Sequence, residues 1–113
     1  MSIKRGELFW VNLDPTKGSE QAGRRPVLVL KNDVGNEFSP TTIVAPVTTK
    51  SFSKEYPTNV NLPKGIAGLQ SDSTILLSQI RTIDKTRLEK PIGSLSPNLM
   101  QKVDHALKIS LAL

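Results

Sequence analysis

Apolar residues in this chain cluster in short runs, most of them spaced for β-strands and one spaced for an α-helix. The run ELFWVNL, residues 7–13, follows Gly6 and reads as a strand stopped by the turn signal Asp14-Pro15. A long polar loop over 14–25 carries glycines at 18 and 23. Pro26 then opens the strand VLVLKN, where its missing N–H does least harm. Four consecutive apolar residues, Val27 to Leu30, predict a strand covered on both faces. NDVGNEFSP (32–40) is loop or a short helical turn. TTIVAPVTT (41–49) is a third strand, whose Pro46 implies an edge position or a bulge. Residues 50–73 are rich in turn residues and hold one short strand candidate, TNVNL (58–62). The longest β run is STILLSQIRTID (73–84). Its alternation sets Ile75, Leu77, Gln79, Arg81 and Ile83 on one side. RLEKPIGSL (87–95) leads to the one strong helix signal, with Ser96 as N-cap and Pro97 at the first helical position. Leu99, Val103, Leu107 and Leu111, with Met100, Ala106 and Ile109 nearby, form its apolar stripe.

This order predicts a mainly β, α+β fold: a small, strongly curved β-barrel of SH3-like size, closed by a C-terminal amphipathic helix. A length of 113 residues suits one domain over 1–113. Charge then narrows the partners. Fifteen Lys and Arg against ten Asp and Glu give +5, which favours nucleic acid, an acidic protein tail or anionic lipid. Eight of the basic residues lie in 1–56 and seven in 57–113, so any basic surface must be assembled by folding. The absence of cysteine excludes disulfides and thiolate metal sites. The start MSIKRGELFW turns charged before a signal-length apolar run forms, and no apolar segment approaches the roughly 20 residues that span a bilayer. The expectation is a soluble, intracellular protein with no membrane partner.

The side chains exclude some chemistries and permit one. His105 is the sole histidine, and a lone histidine in an amphipathic helix fits a surface or packing role better than a ligand role. No carboxylate pair shows metal-site spacing, and there is no glycine-rich phosphate loop. No metal or cofactor is expected. RNA cleavage by the ribose 2′-hydroxyl needs neither a metal nor a protein nucleophile. The protein has only to align the groups, move protons and stabilise charge on a five-coordinate phosphorus. The stretch GSEQAGRRPVLVL (18–30) sets two arginines against a buried strand. A planar, permanently charged guanidinium matches phosphate geometry but makes a poor base. A carboxylate or water must therefore take the 2′-proton, and Glu20 is the carboxylate nearest in sequence. Thr48 ends the third strand and can donate to a phosphate oxygen. Each residue also has a plainer reading. Arg24 and Arg25 fit a solvated loop pair, Glu20 an ordinary loop carboxylate, and Thr48 a strand-end residue. Gln79 and Arg81 fit strand ends emerging from a core.

Four blocks resemble the MazF/PemK family of bacterial toxin endoribonucleases: KRGELFWVNL (4–13), GSEQAGRRPVLVLKND (18–33), TTIVAPVT (41–48) and ILLSQIRTIDKTRL (75–88). The helix VDHALKISLAL extends the resemblance to the C-terminus, and only about 50–72 lacks it. The resemblance implies an SH3-like barrel assembled as a homodimer in the cytoplasm. It implies metal-independent cleavage of single-stranded RNA at short sequences. It also implies a cognate antitoxin that blocks the groove with an acidic, disordered tail. By position, Arg25 resembles the family's catalytic arginine and Thr48 its partner on the scissile phosphate. Ser19, Glu20 and Gln21 fall in the RNA-contacting loop, and Gln79 and Arg81 in the strand lining the groove. Lys31 stands where Gln is common, and Arg24 adds a charge that bears on RNA affinity. Two rival functions fit the same fold: a non-enzymatic toxin that poisons gyrase, and an RNA-binding domain that does not cut.

Overall fold

The computed structural model describes residues 2–113. Along these residues run β1 Glu7–Asn12, β2 Arg24–Val29, α1 Asp33–Phe38, β3 Thr41–Thr48, β4 Asn59–Leu62, β5 Ser73–Leu76, β6 Arg81–Asp84, β7 Leu88–Ser94 and α2 Pro97–Leu111. Short 3₁₀ turns at Ile66–Gly68 and Lys85–Arg87 precede β5 and β7. The strands form an antiparallel sheet in the order β4-β5-β3-β2-β1-β7, with β6 on the same flank of β3 as β5. The mainly β, α+β class with a C-terminal helix is as expected.

The barrel is not closed by strand pairing, because β4 and β7 end the sheet and do not pair with each other. Close packing takes the place of a ladder. The Ile66–Gly68 turn, just after β4, lies against β7 so tightly that a Cβ on Gly93 would stand 2.3 Å from the Ala67 carbonyl oxygen. A Cβ on Gly68, whose φ is +82°, would stand 2.8 Å from the Ile92 carbonyl oxygen. Backbone meets backbone here, and only glycine leaves room for it.

The VLVL run is covered on both faces, as its composition predicts. Val27 and Val29 join Phe9, Val11, Val44 and Ile83 in one apolar cluster. Leu28 and Leu30 join Leu8, Ala45, Ile75 and the helix residues Val103 and Ala106 in the other. Fully burying each such side chain contributes about 1.5–3 kcal/mol, which makes β2 a stiff support for what precedes it.

Helix α2 starts where expected, with the Ser96 hydroxyl accepting from the Leu99 N–H at 3.3 Å. Leu99, Met100 and Leu107 pack against the core beside buried Val103 and Ala106. The stripe stops short of the helix end, for Ile109 and Leu111 are exposed. Arg5 ties the helix to the sheet. Its Nη2 lies 2.6 Å from the Asp104 carboxylate, and its Nε donates to the Leu30 carbonyl at 2.8 Å.

Three strand expectations change. Pro46 is on neither an edge nor a bulge, since β3 is flanked on both sides. The proline falls between Val44, the last residue paired with β6, and Val47, the first paired with β5. The long run 73–84 is two strands. The chain turns at Leu77–Ile80, where the Leu77 N–H donates to the Thr58 carbonyl and the Gln79 N–H to the Leu76 carbonyl. RLEKPIGSL supplies β7, an outer strand whose register against β1 shifts twice around Pro91.

Candidate nucleic-acid interface

Arg25 sits in β2 opposite Val11 of β1, two residues before Val27. Side chains alternate along a strand, so it shares the face of Val27 and Val29. Val27 lies opposite Pro46 in β3, and continuing that register by two residues sets Arg25 opposite Thr48. The Arg25 Nε–H donates to the Ala22 carbonyl at 2.8 Å. Among the described residues no carboxylate pairs with this guanidinium, and its terminal nitrogens remain free for an anion.

Thr48 is buried, and its Oγ1 accepts from the Lys50 N–H at 3.1 Å. A hydroxyl has one proton to give and two lone pairs to receive. The Lys50 amide occupies a lone pair and leaves the proton available to an incoming oxygen.

A cleft of about 550 Å³ is lined in part by Pro46, two residues before Thr48 on β3, and neither Arg25 nor Thr48 itself is among its lining residues. Ser19, Glu20 and Gln21 of the 14–23 loop form one wall, and Gln79 and Arg81 the other, with Leu13 and Pro46 between. Five residues expected at the site are thus brought together. Gln79 does so from the β5–β6 turn rather than from a strand, and Arg81 is the first residue of β6. The Gln79 side-chain oxygen accepts from the Gln21 N–H at 2.8 Å, and an Arg81 terminal nitrogen donates to the Leu13 carbonyl at 3.1 Å.

The loop itself is closed at its base. The Leu13 N–H donates to the Gly23 carbonyl at 2.9 Å, and the Gly23 N–H to the Asp14 carboxylate at 3.1 Å. Glu20 turns back on the loop, its carboxylate accepting from the Lys17 N–H. Gly23 has φ +76°, a left-handed conformation, and nothing stands near its open side. The turn requires glycine there; crowding does not.

Arg24 is not brought to the cleft. Neighbouring residues on a strand face opposite ways, and the Arg24 Nε lies 2.7 Å from the Glu89 carboxylate. Its guanidinium carbon stands 5.8 Å from the centre of the Trp10 ring. His105 is exposed on α2, in a groove against β4 that lies apart from the cleft. Among the described residues no three His, Asp or Glu side chains gather where they could hold a metal ion. No helix among them is long and apolar enough to cross a membrane.

One surface escapes the sequence reading. Beyond Thr48 a second cleft of about 700 Å³ is lined by Thr49, Lys50, Phe52, Tyr56, Asn59 and Asn61, among others. The Lys50 ammonium stands 5.5 Å from the Phe52 ring centre, and the Phe52 and Tyr56 rings meet edge to face at 6.0 Å. The signal was present as two aromatics beside a lysine, in a chain with only five aromatics.

Over residues 4–111 the chain matches the family of PemK-like, MazF-like toxins of type II toxin–antitoxin systems, and it belongs to that family. It is 52% identical to the endoribonuclease EndoA of Bacillus subtilis strain 168 across all 113 residues, which span 97% of that protein. The MazF structure from Deinococcus radiodurans superposes with a TM-score of 0.84 at 29% identity, over 100% of this chain and 99% of that one. A mycobacterial endoribonuclease solved with its cognate antitoxin shares the fold, with a TM-score of 0.82 at 23% identity over 98% and 96% of the two chains.

Proposed function

We propose that this chain is the endoribonuclease toxin of a toxin–antitoxin pair, cutting single-stranded RNA at short sequences without a metal ion. The observation that carries the reading is the β2–β3 register, which, carried two residues beyond the Val27–Pro46 pair, sets position 25 opposite position 48. A guanidinium held by the Ala22 carbonyl and free at its terminal nitrogens stands, by register, opposite a hydroxyl with its proton to give. In this mechanism the 2′-oxygen of the ribose attacks the adjacent phosphorus. Arg25 takes up the charge that builds on the phosphoryl oxygens, and Thr48 donates a hydrogen bond to one of them. The 2′-proton passes to Glu20 or to a water. The bond from phosphorus to the 5′-oxygen breaks as that oxygen takes a proton from water, yielding a 2′,3′-cyclic phosphate and a 5′-hydroxyl.

The RNA strand lies in the cleft between Ser19, Gln21, Gln79 and Arg81, passes Arg25 and Thr48, and continues over Lys50, Phe52 and Tyr56. Aromatic rings beside a cation suit stacked, unpaired bases. The cations along this path, Arg25, Lys50 and Arg81, also suit the acidic, disordered tail of an antitoxin. A homodimer acting in the cytoplasm completes the proposal, and the exposed Phe38, Ile109 and Leu111 are apolar surface of the kind a second subunit covers.

The test is to incubate the purified protein with a long RNA in EDTA and to map the new 5′ ends. Cuts at a few short sequences, leaving 5′-hydroxyls, are the expected result. Intact RNA, or cutting only after magnesium is restored, would overturn the reading.

A further inference from the structure

We infer that Gln79 is a positioning residue, which holds the Arg25 guanidinium in place through the loop that lies between them. The inference rests on the proposed role of Arg25 and deepens it. The Gln79 side-chain oxygen accepts from the Gln21 N–H at 2.8 Å. The next residue, Ala22, presents the carbonyl that accepts from the Arg25 Nε–H, also at 2.8 Å. Peptide units are planar, so only the backbone dihedrals of Gln21 and Ala22 separate the two bonds. Fixing the Gln21 amide therefore restricts where the carbonyl that aims the guanidinium can go.

The holding point is firm where the loop is not. Ser19, Glu20 and Ala22 are exposed, and a Cβ at Gly18 or Gly23 would meet nothing within 4 Å. Gln79, by contrast, stands in a turn braced by the bonds of Leu77 to Thr58 and of Gln79 to Leu76. The strands on either side of that turn both pair with β3. Arg81, the first residue of β6 just after that turn, holds the near end of the loop through the Leu13 carbonyl. The position of Arg25 is thus set from the β5–β6 turn as well as from its own strand. Its placement matters because misplacing a reacting group by about 1 Å can cost on the order of a hundredfold in rate.

The test compares Gln79→Met, which keeps the length and loses the acceptor, with Gln79→Glu, which keeps the acceptor and adds a charge. For Gln79→Met the expected result is a kcat lower by about ten- to a hundredfold, with a smaller rise in KM because Gln79 also lines the RNA cleft. Gln79→Glu is expected to regain most of that kcat while KM rises, since its carboxylate repels phosphate. In nitrogen-15 spectra of the full chain, the Gln21 N–H and the Arg25 Nε–H should exchange with solvent faster in Gln79→Met and stay protected in Gln79→Glu. In an Arg25→Lys background, which has no Nε–H to aim, Gln79→Met should cost no more than about twofold further.

An Arg25 Nε–H unchanged in Gln79→Met, or a defect confined to KM, would overturn the inference and leave Gln79 as an RNA contact only. The exchange measurements involve no RNA, so they judge the latch even if Arg25 proves dispensable for cleavage. That second result would sink the proposed mechanism instead.

Discussion

Replacing Arg25 by alanine removes both terminal nitrogens that are left for the phosphate and the Nε–H that is bonded to Ala22. No neighbour can stand in for it. Arg24 faces the other way, paired with Glu89 at 2.7 Å, and Arg81 is engaged with the Leu13 carbonyl at 3.1 Å. The loss should therefore reach the full value of a preorganised donor, about a hundred- to a thousandfold in rate, or roughly 2.7–4 kcal/mol of transition-state stabilisation. Arg25→Lys keeps the charge but loses the fork and the Ala22 bond, so its rate should fall between the two. The assay is single-turnover cleavage of a short RNA containing one mapped site, with enzyme in excess, so that binding and the chemical step separate. Melting curves of the three proteins should agree within a few degrees, because Arg25 is not part of either apolar cluster. If Arg25→Ala cuts at the parental rate, the charge stabilisation assigned to this guanidinium is refuted. If Arg25→Lys is as fast as the parent, charge matters there and preorganisation does not.

Thr48→Val keeps the shape of the strand end and removes the hydroxyl, and it should slow cleavage by a smaller factor than Arg25→Ala; equal losses would contradict the subsidiary role given to Thr48. Gly93→Ala drives a methyl into the Ala67 carbonyl 2.3 Å away, and it should lower stability by about 1–3 kcal/mol in urea melts, whereas an unchanged midpoint would show that the turn yields freely. Hydrogen bonds from the Thr86 hydroxyl and then its N–H hold the Asp84 carboxyl below its ordinary value of 3.8. That stabilisation is present above pH 3.8 and is lost as the pH falls through the lower folded value, so Asp84→Asn should flatten the fall in melting temperature on the acid side of pH 3.8. An unaltered acid limb in thermal melts would contradict this account.

Much of the scaffold could be read from the sequence. The VLVL run, the Ser96-Pro97 start of α2 and the short strand over 59–62 each carry a local signal that the tertiary structure respects. The β5–β6 turn was hidden for a physical reason. Leu77 is buried even though it begins a turn, so the alternation of Ile75, Leu77 and Ile83 continues across a reversal of the chain. In fact Ile75 and Leu77 belong to one apolar cluster and Ile83 to the other. β7 was hidden because Pro91 and Gly93 suit an irregular outer strand and a close backbone contact, neither of which has a periodic signature. Barrel closure was the least legible feature, since it rests on one 3₁₀ turn against one glycine. At the site, Ser19, Glu20, Gln21, Gln79 and Arg81 of the cleft were named from the sequence, whereas Ser78 and Ile80 of the β5–β6 turn were not. The separation of Arg24 from Arg25 follows from strand alternation alone, once β2 is taken to begin at Arg24.

Pro46 has a further consequence for the cleft it helps to line. The register against β2 turns its nitrogen toward the flank shared by β5 and β6, at the spot where neither strand claims the backbone of β3. An ordinary residue there would offer an N–H to whichever strand drifted closer and would invite the two to zip together. Proline makes no such offer, so the fork between them stays open and the recess that Pro46 lines persists.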